Sequence, residues 1–243
     1  MGSEKSFVKL EALPHGVYVL KFDGGDGQHR LNPTSIAEIH SALDKVEDDP
    51  KAAALITTNE GKFFSNGLDL GFAQSRPGNF KYLVDLFHNL LDRFLCFPMP
   101  TIAAICGHAA AGGCMLALAH DYRVMRIDRG YIFMSEVEIN LHMTPGMISL
   151  IRCKLPVATF HKSLLSAHKY TGKPAEEAGF VYASFPDARS TQEEAIQKAT
   201  ELAKKKYNRS IYKAIKSEMF RVELRDLRSG DHGPPPGIIL SKI

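Results

Sequence analysis

The chain of 243 residues has no tryptophan, few cysteines and no long apolar run. No apolar segment approaches the roughly 20 residues that a membrane-spanning helix requires. The N-terminal stretch MGSEKSFVKL lacks the apolar region of a secretory signal. No Cys-x-x-Cys pair occurs, so we expect buried free thiols rather than a metal site or a disulfide framework. The four cysteines are Cys96, Cys106, Cys114 and Cys153. These absences together predict an intracellular protein without a membrane span.

Charge of one sign is also scarce. Lysine and arginine number 30 against 27 aspartates and glutamates, which gives a formal net charge of +3. That excess is too small to indicate a nucleic-acid partner. Apolar residues make up 44% of the chain and charged residues 23%, a balance that argues against global disorder. The length and the apolar content suffice for one sizeable core or at most two small ones.

Predicted strands and helices alternate along the first 145 residues. The predicted strands are 17–22, 52–58, 101–105, 121–126 and 131–134. Helical spacing of apolar residues predicts a helix from Pro33 to Val46, a longer one over 80–95, and a third that ends at Ala119. This alternation predicts an α/β fold with largely parallel strand pairing.

The C-terminal third has a helical pattern and an unusual end. Residues 190–193, Ser-Thr-Gln-Glu, fit a capping box that opens a helix. Residues 229–237, SGDHGPPPG, predict a flexible spacer. The last three residues, Ser241-Lys242-Ile243, differ by one conservative change from the peroxisomal Ser-Lys-Leu address. We therefore predict a core over 1–190, a helical segment over 191–228 and a tail over 229–243.

Two segments contain glycine where a backbone amide would be exposed. In 61–70, GKFFSNGLDL, a strand-like piece leads into Gly67, which permits a sharp turn that directs the next N–H into a cavity. In 107–117, GHAAAGGCMLA, small residues follow a strand and open a helix whose first N–H groups are unpaired. An ordinary strand-to-helix turn and close helix–sheet packing remain the structural alternatives.

A third segment, 133–141, places two carboxylates in mostly apolar surroundings. A desolvated Glu136 or Glu138 would have a raised pKa, as a general base requires. The alternative is that one of them is exposed and the other caps a turn. His142 follows this segment, so a position near a pocket stays open for it as well.

These three segments, in this order, resemble the crotonase superfamily of enoyl-CoA hydratases and isomerases. The resemblance implies an α/β fold, a spiral of repeated ββα units with a helical C-terminal segment. It also implies an acyl-CoA-binding core with two amides that form an oxyanion hole for the thioester: those of Leu68, within Ser65-Asn66-Gly67-Leu68-Asp69, and Gly112, within Ala111-Gly112-Gly113-Cys114-Met115. The substrate-binding residues implied are Ser65, Asn66, Gly67, Leu68, Asp69, Gly112 and Gly113.

The resemblance also assigns the carboxylate. Residues 136–140 fit the family's Glu-x-x-aliphatic-Gly motif with Asn140 in the glycine place, so Glu136 is the matching residue and Glu138 a second candidate. Hydratases of the family have a second Glu where this chain has Met115, which cannot exchange protons. One carboxylate with an oxyanion hole favours a Δ3,Δ2-enoyl-CoA isomerase similar to the plant peroxisomal type.

Further expectations come from the same resemblance. They are a homotrimer or hexamer formed through the C-terminal helices and import into the peroxisome by a receptor that binds Ser241-Lys242-Ile243. No metal or separate cofactor is expected, since coenzyme A is part of the substrate. A hydratase, another acyl-CoA enolate chemistry and a non-catalytic acyl-CoA-binding subunit remain the alternatives.

Overall fold

A computed structural model describes residues 6–24 and 26–233. The described strands are β1 (Val8–Leu13), β2 (Val17–Phe22), β3 (Ala54–Asn59), β4 (Phe63–Ser65), β5 (Thr101–Ile105), β6 (His108–Ala110), β7 (Tyr122–Arg126), β8 (Ile132–Phe133) and β9 (Ala183–Phe185). The described α-helices are α1 (Pro33–Asp48), α2 (Leu70–Gln74), α3 (Asn79–Leu95), α4 (Gly112–Ala119), α5 (Pro145–Lys154), α6 (Val157–Ser166), α7 (Gly172–Glu177), α8 (Ala188–Ala203), α9 (Arg209–Met219) and α10 (Arg221–Arg228).

Two sheets organise the chain. The larger has the strand order β1-β2-β3-β5-β7-β9, and its pairs are parallel except for β1 with β2. The smaller has the order β4-β6-β8 and is parallel throughout. Three times in succession the chain makes a strand in the large sheet, then one in the small sheet, then enters helical structure. The predicted α/β fold of repeated ββα units is therefore confirmed.

The small sheet determines where the three unusual segments meet. Parallel strands present their carboxyl ends at one edge of a sheet. The residues that follow β4, β6 and β8 are 66–69, 111–112 and 134–136. Segments that are more than 60 residues apart at their extremes are thus brought to one edge by strand pairing.

Apolar layers cover both faces of the large sheet. One core joins α1, α3 and α4 with large side chains such as Phe22, Phe64 and Phe94, all fully buried. On the other face, α8 contacts β3, β5 and β7 through a buried stripe of small residues. The stripe consists of Ala195, Ala199 and Ala203. Their four-residue spacing places them on one side of the helix, where short side chains permit a close approach to the strands.

The structure changes some local expectations. The helix predicted to open at 190–193 begins at Ala188, and its capping box joins Asp187 to Ser190 because Asp187 is the residue with extended backbone before the first turn. Cys153 is exposed, while the other three cysteines are buried as free thiols. Strand β1, which is joined to β2 by a short 3-10 helix over Pro14–Gly16, is an antiparallel addition that the sequence patterns did not indicate.

The chain turns back after α10. Helix α10 packs on α3 and α5. Residues 229–233, predicted as the start of a flexible spacer, are held: His232 Nε2 lies 2.9 Å from Asp85 Oδ1, and its ring stacks on His88. His142 Nε2 lies 2.8 Å from the His232 carbonyl oxygen. The predicted address Ser241-Lys242-Ile243 lies outside the described residues, and the division at residue 190 stays a prediction.

Candidate active site

A cavity of about 190 Å³ lies at the common edge of the small sheet. It is bounded by the three loops and by one face of α3, to which Phe80, Val84 and Phe87 contribute side chains at helical spacing. The remaining lining residues are Asn66, Leu68, Leu70, Ala111, Gly112, Met115, Ser135, Glu136, Ile139, Leu141, His142, Thr144 and Met147. The walls are mostly apolar, with a few polar groups among them.

The backbone around Leu68 directs the Leu68 amide away from the neighbouring segment at Leu31. Leu31 N–H donates to the Gly67 carbonyl at 2.8 Å, and Asp69 N–H donates to the Leu31 carbonyl at 2.9 Å. In such a parallel bridge the central residue, Leu68, has its own N–H on the opposite side. The Leu68 amide is therefore not used by this ladder and lies at the wall of the cavity.

The second amide belongs to Gly112, the first residue of α4. First-turn amides of a helix have no partner within the helix. A Cβ placed on Gly67, whose φ is +79°, would lie 2.9 Å from the Gly112 nitrogen. A Cβ on Gly112 would lie 3.4 Å from the Leu68 nitrogen. The two loops are therefore in direct contact, and glycine at both positions permits it.

The backbone before α4 is strained. Ala111 has φ +49° and ψ −121°, a conformation that costs a non-glycine residue of the order of 1–3 kcal/mol. The surroundings hold it in place, since Ala111 N–H donates to the Phe133 carbonyl at 3.0 Å. Strain at this point sets the direction of the first amide of α4, at Gly112.

Several predicted binding residues shape the loops. Ser65 is buried; its hydroxyl donates to the His29 carbonyl at 2.8 Å and accepts from Gly67 N–H at 3.1 Å. Asp69 caps α2 by accepting from Phe72 N–H. A Cβ on Gly113 would lie 2.2 Å from the Ser65 carbonyl oxygen, so this glycine lets α4 pack on β4.

Asn66 differs from its neighbours because it both shapes the loop and lines the cavity. Its Nδ2 donates to Gln28 Oε1 at 2.6 Å. The structure thus brings Asn66, Leu68 and Gly112 to the cavity wall and places Ser65, Asp69 and Gly113 in supporting contacts.

Glu136 is the carboxylate of this cavity. It is only 8% exposed, and no described residue offers a hydrogen-bond partner to its Oε2. Burial raises the pKa of Glu136 to about 7, and nearby backbone amides of Ser135 and Glu136 oppose the rise. A carboxyl with a pKa near neutrality can both take up and release a proton at physiological pH.

Glu138 occupies a different environment. It is exposed and does not line the cavity. Asn140, in the motif's glycine place, has φ +54°, a left-handed conformation that Asn enters more readily than most residues. The backbone of this chain therefore has the turn that the motif requires, which supports the alignment that selects Glu136.

Other neighbours of the cavity complete the picture. Met115 is buried in the wall, so its position offers no second acid or base. His142 lines the cavity, and Thr144 closes it at the start of α5. Within the described ranges, no group of three or more His, Cys, Asp or Glu residues is placed to hold a metal ion. No helix in those ranges is long and apolar enough to cross a membrane.

Comparison with known proteins places this arrangement in a family. The enoyl-CoA hydratase/isomerase family model matches residues 13–229. The chain therefore belongs to the enoyl-CoA hydratase/isomerase family, and the resemblance to the crotonase superfamily is confirmed.

Two relatives from Arabidopsis thaliana are similar over most of their length. "Enoyl-CoA delta isomerase 1, peroxisomal" is 36% identical over 208 residues, which cover 84% of this chain and 86% of the relative. "Enoyl-CoA delta isomerase 2, peroxisomal" is 39% identical over 205 residues, which cover 81% and 85%.

Solved structures share the fold. An enoyl-CoA hydratase/isomerase family protein from Pseudomonas syringae superposes with a TM-score of 0.84 at 30% identity and covers 92% of this chain and 94% of its own. Human mitochondrial delta3-delta2-enoyl-CoA isomerase superposes with a TM-score of 0.83 at 21% identity, covering 96% and 92%. At that identity the human structure supports the fold alone.

Proposed function

We propose that the protein is a Δ3,Δ2-enoyl-CoA isomerase that converts a 3-enoyl-CoA into the trans-2-enoyl-CoA. One observation carries the proposal: Glu136, a buried carboxylate whose Oε2 has no hydrogen-bond partner among the described residues, lines the same cavity as Leu68 and Gly112. The names of the Arabidopsis relatives agree with this chemistry.

The reaction uses these three groups. The amides of Leu68 and Gly112 donate to the thioester oxygen while ionised Glu136 takes a proton from C2. The electron pair of that C–H bond delocalises over a dienolate whose charge lies largely on the oxygen between the two amides. Protonated Glu136 then delivers the proton to C4, the C3–C4 double bond shifts to C2–C3, and the carboxylate is regenerated. No step passes through a metal or a separate cofactor.

The contributions match what such groups supply elsewhere. A positioned general base contributes about 10²–10⁴-fold in rate. Removal of one oxyanion donor costs about 2.7–4 kcal/mol of transition-state stabilisation. Desolvation keeps Glu136 basic enough to remove a proton that the oxyanion contacts acidify.

Hydration of a 2-enoyl-CoA is the second candidate, and Met115 argues against it. Adding water requires one group to activate the water and another to handle the α-carbon proton. Glu136 supplies one of these groups, and the buried thioether of Met115 can supply neither. A non-catalytic acyl-CoA-binding role would leave the unpartnered carboxylate without a use.

Assembly is the finer part of the proposal. Three apolar residues of α9, Ile211, Ile215 and Met219, are more than half exposed and lie four residues apart on one side of the helix. Two others, Phe220 and Leu224, pack against the chain's own core. The exposed stripe supports a homotrimer or hexamer built through the C-terminal helices, since burying it would remove apolar surface from water.

We also propose a peroxisomal location with import through Ser241-Lys242-Ile243. Two of the Arabidopsis relatives have "peroxisomal" in their names. A fluorescent fusion of the full chain should enter peroxisomes, and removal of residues 241–243 should leave it in the cytosol. Peroxisomal entry of the truncated fusion would exclude the tail as the address.

The activity is tested by offering 3-enoyl-CoA and 2-enoyl-CoA to the same preparation. We expect the rate of conversion of the 3-enoyl thioester to exceed the rate of hydration of the 2-enoyl thioester. The absorbance of the conjugated product measures the conversion. Glu136→Gln should lower kcat about 10²–10⁴-fold, because it removes the base and keeps the size. Glu138→Gln is the matched control and should leave kcat unchanged. Loss in the control alone would assign the base to Glu138.

A further inference from the structure

The carboxylate of Glu136 lies against backbone amides of its own loop, those of Ser135 and Glu136. Its Oε2 has no hydrogen-bond partner among the described residues, so its place in the cavity depends on the backbone that carries it. That backbone is the loop over 134–144, between the short strand β8 and helix α5. Bonds within the loop include those from Glu138 N–H to the Ser135 carbonyl and from Leu141 N–H to the Glu136 carbonyl, both at 3.0 Å.

The downstream end of this loop is fastened to helix α3. Thr144 Oγ1 lies 2.7 Å from His88 Nε2, and both residues are buried. The Leu227 carbonyl lies near His88 and favours the protonated ring. In the tautomer with the proton on Nδ1, His88 Nε2 accepts from the Thr144 hydroxyl. The same hydroxyl oxygen accepts from Met147 N–H and caps α5.

The ring of His88 is kept neutral by its surroundings. Burial, followed by the neighbouring His232, lowers the pKa of His88 to about 4, although Asp85 and the Leu227 carbonyl oppose the shift. The acceptor nitrogen is therefore available throughout the neutral range. Helix α3, which carries His88, also supplies Val84 and Phe87 to the cavity wall. His88 thus connects helix α3, which forms part of the cavity wall, to the loop that carries Glu136.

We propose that His88 is a positioning residue for proton transfer: through Thr144 it locks the Glu136 loop to the wall of the cavity. The proposal rests on the isomerase function proposed above. His88 touches no reacting atom; without it the loop's downstream end would lose its only hydrogen bond to α3 among the described contacts. A misplacement of about 1 Å can lower a rate about 100-fold.

Two sets of variants test this role. His88→Leu and Thr144→Val each remove one side of the hydrogen bond, whereas His88→Gln and Thr144→Ser retain an acceptor and a hydroxyl. We expect the first pair to lower kcat about 10- to 100-fold with KM nearly unchanged, and the second pair to restore most of it. Thr144→Val also removes the cap of α5. The double variant His88→Leu/Thr144→Val should be no slower than the slower single variant, because the His88–Thr144 hydrogen bond is already absent from each single variant.

A readout independent of turnover separates this inference from the proposed function. Carbon-13 NMR of labelled glutamate, with Glu136→Gln for assignment, gives the pKa of Glu136 directly. In His88→Leu and Thr144→Val a loosened loop admits water, so that pKa should fall from about 7 toward its ordinary value of 4.5.

The outcomes are distinct. A folded His88→Leu or Thr144→Val with unchanged kcat and unchanged Glu136 pKa would overturn the positioning role, as would fully additive effects in the double variant. A shifted pKa in a protein that does not isomerise 3-enoyl-CoA would retain the positioning role and reject the proposed function. If His88→Leu does not fold, Thr144→Val and Thr144→Ser carry the comparison.

Discussion

Two carboxylates with little exposure show opposite uses of the same chemical group. Asp121, at the start of β7, accepts from Lys216 at 2.8 Å and from Thr101 N–H at 2.9 Å, so its charge is matched on several sides. Glu136 has no hydrogen-bond partner for Oε2 among the described residues, and desolvation is the main influence on its pKa. The ion pair of Asp121 with Lys216 joins α9 to the body of the chain. Glu136 is desolvated without such a countercharge, and this raises its pKa and makes it a base.

Among the substitutions that test this comparison, the one at Asp121 should have the largest effect. Asp121→Asn leaves Lys216 buried without its countercharge, which should lower the free energy of unfolding by about 3–5 kcal/mol. Chemical denaturation measures the change. The kcat of the remaining folded protein should stay near that of the wild type.

The matched control for that prediction is the double variant Asp121→Asn/Lys216→Met. Removing both charges leaves nothing uncompensated, so most of the lost stability should return. A double variant less stable than Asp121→Asn would mean that the pair does not act through charge.

Glu136→Gln should change the free energy of unfolding in the opposite direction to Asp121→Asn. The pKa of Glu136 is about 7 when folded against an ordinary 4.5, so the folded state holds a proton that the unfolded chain releases. The stability that Glu136 contributes is therefore fully present below about pH 4.5 and is lost as the pH rises through about 7, about 3 kcal/mol in total. Above that range Glu136→Gln should be more stable than the wild type by a similar amount.

Denaturation curves at several pH values check this difference. It should vanish as the pH approaches the ordinary value of the carboxyl group, where both states are protonated. A Glu136→Gln variant less stable than the wild type above neutral pH would show that the carboxylate is satisfied after all.

The smallest expected effect is the pH profile of catalysis. Because ionised Glu136 is the base, kcat/KM should fall about tenfold per pH unit below about 7, and this limb reports the free enzyme. Glu138→Gln should not move it. An acid limb near the ordinary glutamate value would contradict the desolvated base.

The sequence predicts the backbone features of the site, its two glycine-containing loops, better than it predicts the catalytic side chain. Gly67 and Gly112 can be recognised in the sequence because close approach of two backbone segments requires small residues. The structure shows the contacts between the two loops that require glycine at both positions. The choice between Glu136 and Glu138 depended on resemblance, since both lie in one apolar segment. Burial distinguishes them, and burial depends on the fold.

Longer-range pairs could not be predicted. His88 and Thr144 are 56 residues apart, and Lys216 lies 95 residues beyond Asp121. No local pattern connects such positions, because helix docking alone brings them together. The same applies to His232, whose contacts with Asp85 and His88 hold residues that composition alone predicts to be free.

The bridge between Leu31 and Leu68 has a spectroscopic consequence. The Leu31 and Asp69 amides are hydrogen-bonded within the protein, so their proton resonances should change little when a thioester arrives. The Leu68 amide faces the other way, and a carbonyl oxygen bound there should move its resonance downfield. In a labelled sample, neighbouring amides of one short loop would thus include both a reporter of ligand capture and its own internal reference.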